Sequence, residues 1–261
     1  NAELMSFAGV WQVWNGPDGA RSVTCAMVTT QAGDDLAEVH HREPVTVKPE
    51  DFTDSLSWKI LYNYVDDMDH QAFKHLMDHQ EDYSAIYGKD SVMGKIEYIY
   101  QRNASKLLFA KEFDEKAYKA YVNKIGTMDF ASKDKMVFIM NLNLYEKNGN
   151  WKKVSELAFS ENGHKYLDGG RINGLCWGMF ESTEDLTILK AAADEMKRIT
   201  ATENGKSWAF IDTYASLLYK TKNKVEAEKV AKWAIEIAKE EGVSAEEYKP
   251  TEELLEKIMK L

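Results

Sequence analysis

The stretch Asp212-Thr213-Tyr214-Ala215-Ser216-Leu217-Leu218-Tyr219-Lys220, followed after a short break by Lys224-Val225-Glu226-Ala227 and on through Ala231 and Ala234, decides the fold. Apolar groups recur in it at helical spacing, and the break Lys222-Asn223 separates two such runs. Ala215, Ala227, Ala231 and Ala234 put small side chains where two neighbouring helices must approach closely. Leu217, Leu218, Trp233 and Ile237 supply the larger packing groups, and Gly242 marks the stop. A hairpin of helices cannot bury both apolar faces alone, so this pattern predicts stacking on a similar neighbour.

Working back along the chain, similar breaks recur. Aligning them puts small or aliphatic anchors at Ala117, Val154, Leu189 and Ala227, with spacings of 37, 35 and 38 residues. A period of that size with helix–turn–helix content is the signature of a helical repeat array. The helical period begins near residue 54, with Ser55 to Val65 as the first helix and Asp69 as the expected cap of the second. At the far end, Pro250 is expected to precede a capping helix from Thr251 to Met259. The last hairpin resembles a tetratricopeptide repeat, and the expected fold class is mainly α. Its form is an array of stacked antiparallel helical hairpins over residues 51–261.

Residues 1–50 have a different texture, with three of the four prolines and short β-branched runs. A strand is expected at Val10–Trp14, and a β-hairpin joining Val23–Thr30 to Leu36–His40 through the turn residues 31–35. Two or three strands make a poor independent domain. This short β-containing segment is therefore expected to be a cap or the remnant of a larger fold. The opening Asn1-Ala2 looks like the scar of a cleaved tag, with the natural chain expected to start upstream.

Composition narrows the function classes. The formal net charge is −10, from 33 basic and 43 acidic side chains, which disfavours a phosphate backbone and leads to the expectation of no nucleic-acid partner. No run is long and apolar enough for a membrane span. Cys25 and Cys176 are 151 residues apart with no CxxC, so the chain holds no dithiol centre or zinc knuckle. His75 and His79 share a helix face but have no third ligand in sequence and no HExxH pattern, and a solvated face is the better account. Asp66, Asp67 and Asp69 read as a helix break and Gly169–Gly174 as a loop. No metal, cofactor or catalytic residue is expected, and the aromatic residues Tyr62, Tyr64, Tyr98, Tyr100, Tyr145, Trp177 and Trp208 are expected mostly in the core.

Two longer motifs carry a further resemblance. Ser57–Asp67 with Tyr83–Val92, and Asp212–Lys220 with its alanine-rich partner, resemble the helical extension of thioredoxin-like proteins from Bacteroidetes. Glu38–Arg42 and Val47–Phe52 are similar to the final strand and the start of the last helix of a thioredoxin fold. The resemblance implies an exported, periplasmic protein whose helices form a concave groove for a protein or peptide. Its alternative implication is a thiol–disulfide oxidoreductase whose CxxC lies outside this chain. On the repeat alignment Asn143, Glu146, Asp212, Ser216 and Tyr219 fall on inner helices and are the candidate binding residues.

Overall fold

The computed structural model describes the backbone of residues 6–7, 9–15, 21–27, 29–31, 42–44 and 46–47, together with residues 55–202 and 205–261. The protein is mainly helical. By backbone contacts it divides into two compact units, Asn1–Asn103 and Ala104–Leu261.

In the first unit the strands pair two by two, all antiparallel. β1 (Ser6–Phe7) pairs with β6 (Thr46–Val47), β2 (Gly9–Asn15) with β3 (Arg21–Met27), and β4 (Thr29–Gln31) with β5 (Arg42–Pro44). The β2–β3 register sets Trp11 opposite Cys25 and Val13 opposite Val23. The partner of the Val23 run is thus the Val10–Trp14 strand, joined to it by Gly16-Pro17-Asp18-Gly19, a denser turn signal than the one at residues 31–35. The expected second strand, Leu36–His40, lies outside the described residues.

Four helices follow: α1 (Ser55–Tyr64), α2 (Gln71–Asp78), α3 (Gln80–Tyr87) and α4 (Lys89–Leu108). Leu61, Phe73, Leu76, Tyr83, Val92 and Ile96 are buried, at the spacing a single apolar stripe per helix demands. The cap of α2 is His70, whose Nδ1 accepts from the Ala72 amide (3.1 Å), rather than Asp69. Asp67 Oδ1 already accepts the Asp69 amide (2.8 Å), which fixes that residue inside the turn.

The second unit contains α5 (Glu115–Thr127), α6 (Lys133–Lys147), α7 (Trp151–Ala158), α8 (Glu161–Tyr166) and α9 (Gly169–Ser182). It continues with α10 (Leu186–Thr200), α11 (Trp208–Lys220), α12 (Lys224–Glu240) and α13 (Ala245–Met259). Helices next to one another in sequence pack together, α5 on α6, α6 on α7, α10 on α11, α11 on α12 and α12 on α13. One core runs from Phe138 to Ile258 and includes Leu142, Leu175, Leu189, Met196, Leu217 and Ala231.

Several boundaries follow from caps. Asp114, Asn150, Ser160, Asp168 and Asp185 each accept a backbone amide in the first turn of the helix they precede. Asp168 makes Gly169–Gly174 the first turns of α9, where a loop was expected. α13 begins at Ala245, six residues before the expected start, because Ser244 and Glu247 form a reciprocal capping box. Pro250 then lies inside the helix and removes one ladder donor there. Gly242 has φ of 73° just past the end of α12, the backbone region that favours glycine.

Candidate functional site

The five groove candidates enter three different environments. Asn143 and Glu146, one turn apart on α6, converge on Arg171 of α9. Arg171 donates to Asn143 Oδ1 (3.0 Å) and pairs with the Glu146 carboxylate through both terminal nitrogens. Asp212 instead accepts from the Thr251 hydroxyl (2.7 Å), which in turn accepts from the Trp208 indole N–H (3.1 Å), tying α11 to α13. Ser216 is buried, and Tyr219 is partly buried with the Lys222 ammonium 5.5 Å from its ring.

Burial holds the Asp212 carboxyl above its usual range, the Thr251 hydrogen bond opposing this in part. The folded chain therefore holds this proton more tightly than the unfolded chain. Its contribution to stability is full below the ordinary carboxylate range and is lost as pH rises through the folded pKa. Asp212→Asn keeps an acceptor for Thr251 without the charge. We expect it to raise Tm at pH 7 by about 1–2 °C, with the gain vanishing near pH 3, as checked by calorimetry across that range.

Cys176 and Glu195 of the second unit are both buried. Cys176 is a free, buried thiol with Sγ 3.8 Å from the Ala192 carbonyl, and burial pushes its pKa far up, which disfavours the reactive thiolate. Glu195 is buried between His164 (3.1 Å) and Arg198 (2.6 Å). In the first unit the His75 and His79 rings lie 4.3 Å apart, and His79 Nδ1 is 3.1 Å from Asp82. Burial, followed by the neighbouring His79, lowers the His75 pKa. Among the described residues no group of three or more His, Cys, Asp or Glu could hold a metal ion, and no helix is long and apolar enough to cross a membrane.

The aromatic residues divide against expectation. Tyr100 is buried and meets Phe73 edge-on at 5.4 Å, but Tyr62, Tyr64 and Tyr98 are 49%, 71% and 50% exposed. Beneath two of them sits Lys95, only 4% exposed, with its ammonium donating to the Tyr62 carbonyl (2.7 Å). The same ammonium is 5.7 Å from the Tyr62 ring centre and 4.9 Å from that of Tyr98. Trp58 packs against Tyr62 at 5.4 Å and stacks on Tyr87 at 4.8 Å. α1 and α4 thus present an aromatic surface fixed from below by an enclosed cation.

The charge is unevenly spread. Residues 1–84 contain 15 acidic and 5 basic residues, and residues 85–261 contain 28 of each. The net −10 therefore lies entirely in the N-terminal third, which also holds five of the six histidines.

That same third is where the chain is similar to known proteins. The family described as SOS response associated peptidase (SRAP) matches residues 1–84. Two curated proteins, both named abasic site processing protein YoqW, one from Bacillus subtilis (strain 168) and one from Bacillus phage SPbeta, are each 34% identical over 50 residues. The match covers 19% of this chain and 22% of each relative, so the chain spans about a fifth of the length of the curated relatives it matches. No solved structure matches.

These matches overturn the thioredoxin-like resemblance and both functions that came with it, the exported peptide-binding extension and the thiol–disulfide oxidoreductase missing its CxxC. Export rested on that resemblance and loses its support with it. The exclusion of nucleic acid is corrected as well, since a net charge describes an average and a lesion is recognised locally. The sequence Glu38–Arg42, similar to the last strand of a thioredoxin fold, lies within the residues that the SRAP family matches. His40 and His41 lie outside the described residues.

Proposed function

We propose that residues 1–84 act on DNA at abasic sites. The observation that carries this is the SRAP match over those residues, supported by the two relatives whose names describe abasic-site processing. An abasic deoxyribose opens to an aldehyde, an electrophile that a positioned amine or thiol can attack, so such a site offers chemistry that intact DNA does not. With 15 acidic and 5 basic residues in the segment, phosphate contacts contribute little, and selectivity has to come from the lesion and the bases beside it.

The test is capture of an oligonucleotide containing one abasic site, compared with the same strand carrying an intact base. The abasic strand is expected to be retained and the intact strand not. Because few counterions are displaced, log affinity should change with log salt with a slope shallower than about −3. Equal retention of the two strands would contradict the reading, and a steep slope would contradict its electrostatic basis.

For residues 104–261 we propose a stacked array of antiparallel helical hairpins of the tetratricopeptide kind, carried on the same chain. Sequential packing of α9 to α13 and the burial of Ala215, Ala227, Ala231 and Ala234 between α11 and α12 support it. The residues that converge on Arg171 and Thr251 are read as struts of this array.

A further inference from the structure

We propose that α2 is an acid-released helix. Its fastenings need uncharged rings at His70 and His75, so it loosens in the first unit as pH falls through the histidine range. This holds whatever residues 1–84 act on.

Three observations carry it. The first is the cap. His70 Nδ1 accepts the Ala72 amide (3.1 Å), and a ring nitrogen accepts only while it has no proton. An imidazolium has N–H at both positions. Protonation would therefore set a donor against a donor and put positive charge at the positive end of the helix dipole. The second is the ring pair at the other end. His75 and His79 lie 4.3 Å apart at 33°, and His75 also meets the buried Tyr83 edge-on at 6.1 Å. His79 has Asp82 at 3.1 Å and can take a proton, but a second proton on His75 would then lie beside it. The third is how little else holds the helix. α2 has eight residues, too few to stand alone, and its buried residues are Phe73 and Leu76.

The charged and titratable groups around α2 do not cancel this. On α2 itself Lys74 opposes protonation, and Asp78 favours a charged His75. In the preceding turn Asp67 is engaged by the Asp69 amide, and Asp69 is exposed. From α3 come Glu81, Asp82 and Tyr83, and from α4 Tyr100, whose hydroxyl is 3.7 Å from Met77 Sδ. Burial pushes the Tyr100 pKa up to about 12, so it stays uncharged. Asp78 and Asp82 are exposed, where solvent screens their attraction. Burial first, then His79, lowers the His75 pKa from its ordinary 6.5. The folded chain holds that proton less tightly than the unfolded chain. The resulting stability is full above the ordinary value and is lost as pH falls through the folded one.

The experiment is hydrogen exchange of the full chain read by mass spectrometry, corrected for the intrinsic effect of pH, with α12 as the internal reference. From about pH 7.5 to about pH 5.5, α2 is expected to lose protection on the order of five- to tenfold while α12 keeps its own. Ordinary carboxylates stay ionised across that window, so the change belongs to the histidines. His70→Asn supplies a cap that does not titrate, and His79→Gln removes the neighbouring charge. The two together should match the wild type at the upper pH and lose less than about twofold on acidification. His70→Asp supplies the same cap by a second route and should likewise blunt the loss if the paired variant folds poorly. The acid release is overturned if wild-type α2 keeps its protection at the lower pH, or if the capped variants lose as much as the wild type. It is also overturned if α12 loses protection in step with α2, which would be general acid unfolding.

Discussion

Replacing Gly163 by alanine is expected to destabilise the helical unit by about 3 kcal/mol, near the upper end of what overpacking costs. Gly163 lies in α8, where its amide donates to the Ser160 cap (3.1 Å). A Cβ at this position would lie 2.0 Å from the Ala158 carbonyl oxygen and 2.6 Å from that of Leu157. Those atoms are backbone, and they belong to the last turn of α7, so no rotamer change relieves the contact. The chain turns from α7 into α8 within two residues, and only a residue without Cβ allows so close a return. Thermal unfolding should show Tm lowered by about 10 °C. An alanine variant as stable as the wild type would contradict the close packing of the α7–α8 corner. Gly178→Ala makes a softer comparison, because there the clash is with the far end of the Trp151 ring at 2.6 Å, which can swing away.

Leu189→Ala should cost about 2–5 kcal/mol, the range for a fully buried leucine whose site cannot collapse. Leu189 lies in the first turn of α10 and belongs to the core shared with Leu175, Cys176 and Ala192. Its neighbours lie on packed helices that are themselves fixed by caps and by α9, α10 and α11 contacts, so the space left would persist as a cavity. Urea titration is the measurement, with a lowered midpoint and an unchanged slope expected. A loss below about 1 kcal/mol would show that the core relaxes around the missing side chain, against the rigid array proposed for these helices.

Much of the second unit was legible because its elements are specified locally. Ala227, Ala231 and Ala234 are all fully buried, as are the repeat anchors Val154 and Leu189, whereas the anchor Ala117 is exposed. Helical periodicity and close alanine packing both act over a few residues, so sequence spacing carries them. The misplaced boundaries were at caps whose partner lies three residues away. Ser244 with Glu247 and Asp168 with the Arg171 amide start helices where glycine and proline suggested loops.

The candidate site was far less legible. Asp212, a groove candidate by the repeat alignment, accepts from the hydroxyl of Thr251 on α13, a contact no local pattern encodes. Tyr62 and Tyr98 have the helical spacing of core residues, yet both rings are about half exposed, with the enclosed Lys95 ammonium against them. Composition misdirected the choice of partner. A net charge of −10 set against phosphate says nothing of a lesion-specific contact, and the charge is itself confined to the third of the chain that matches the SRAP family.

The central claim, that residues 1–84 act at abasic sites, is tested most directly by exposing the full chain to a single-stranded oligonucleotide with one abasic site and an otherwise identical intact strand. Gel retardation and denaturing electrophoresis together report both reversible binding and covalent capture. The account predicts that the abasic strand is retained or modified and the intact strand is released under the same conditions. Equal behaviour of the two strands would contradict it.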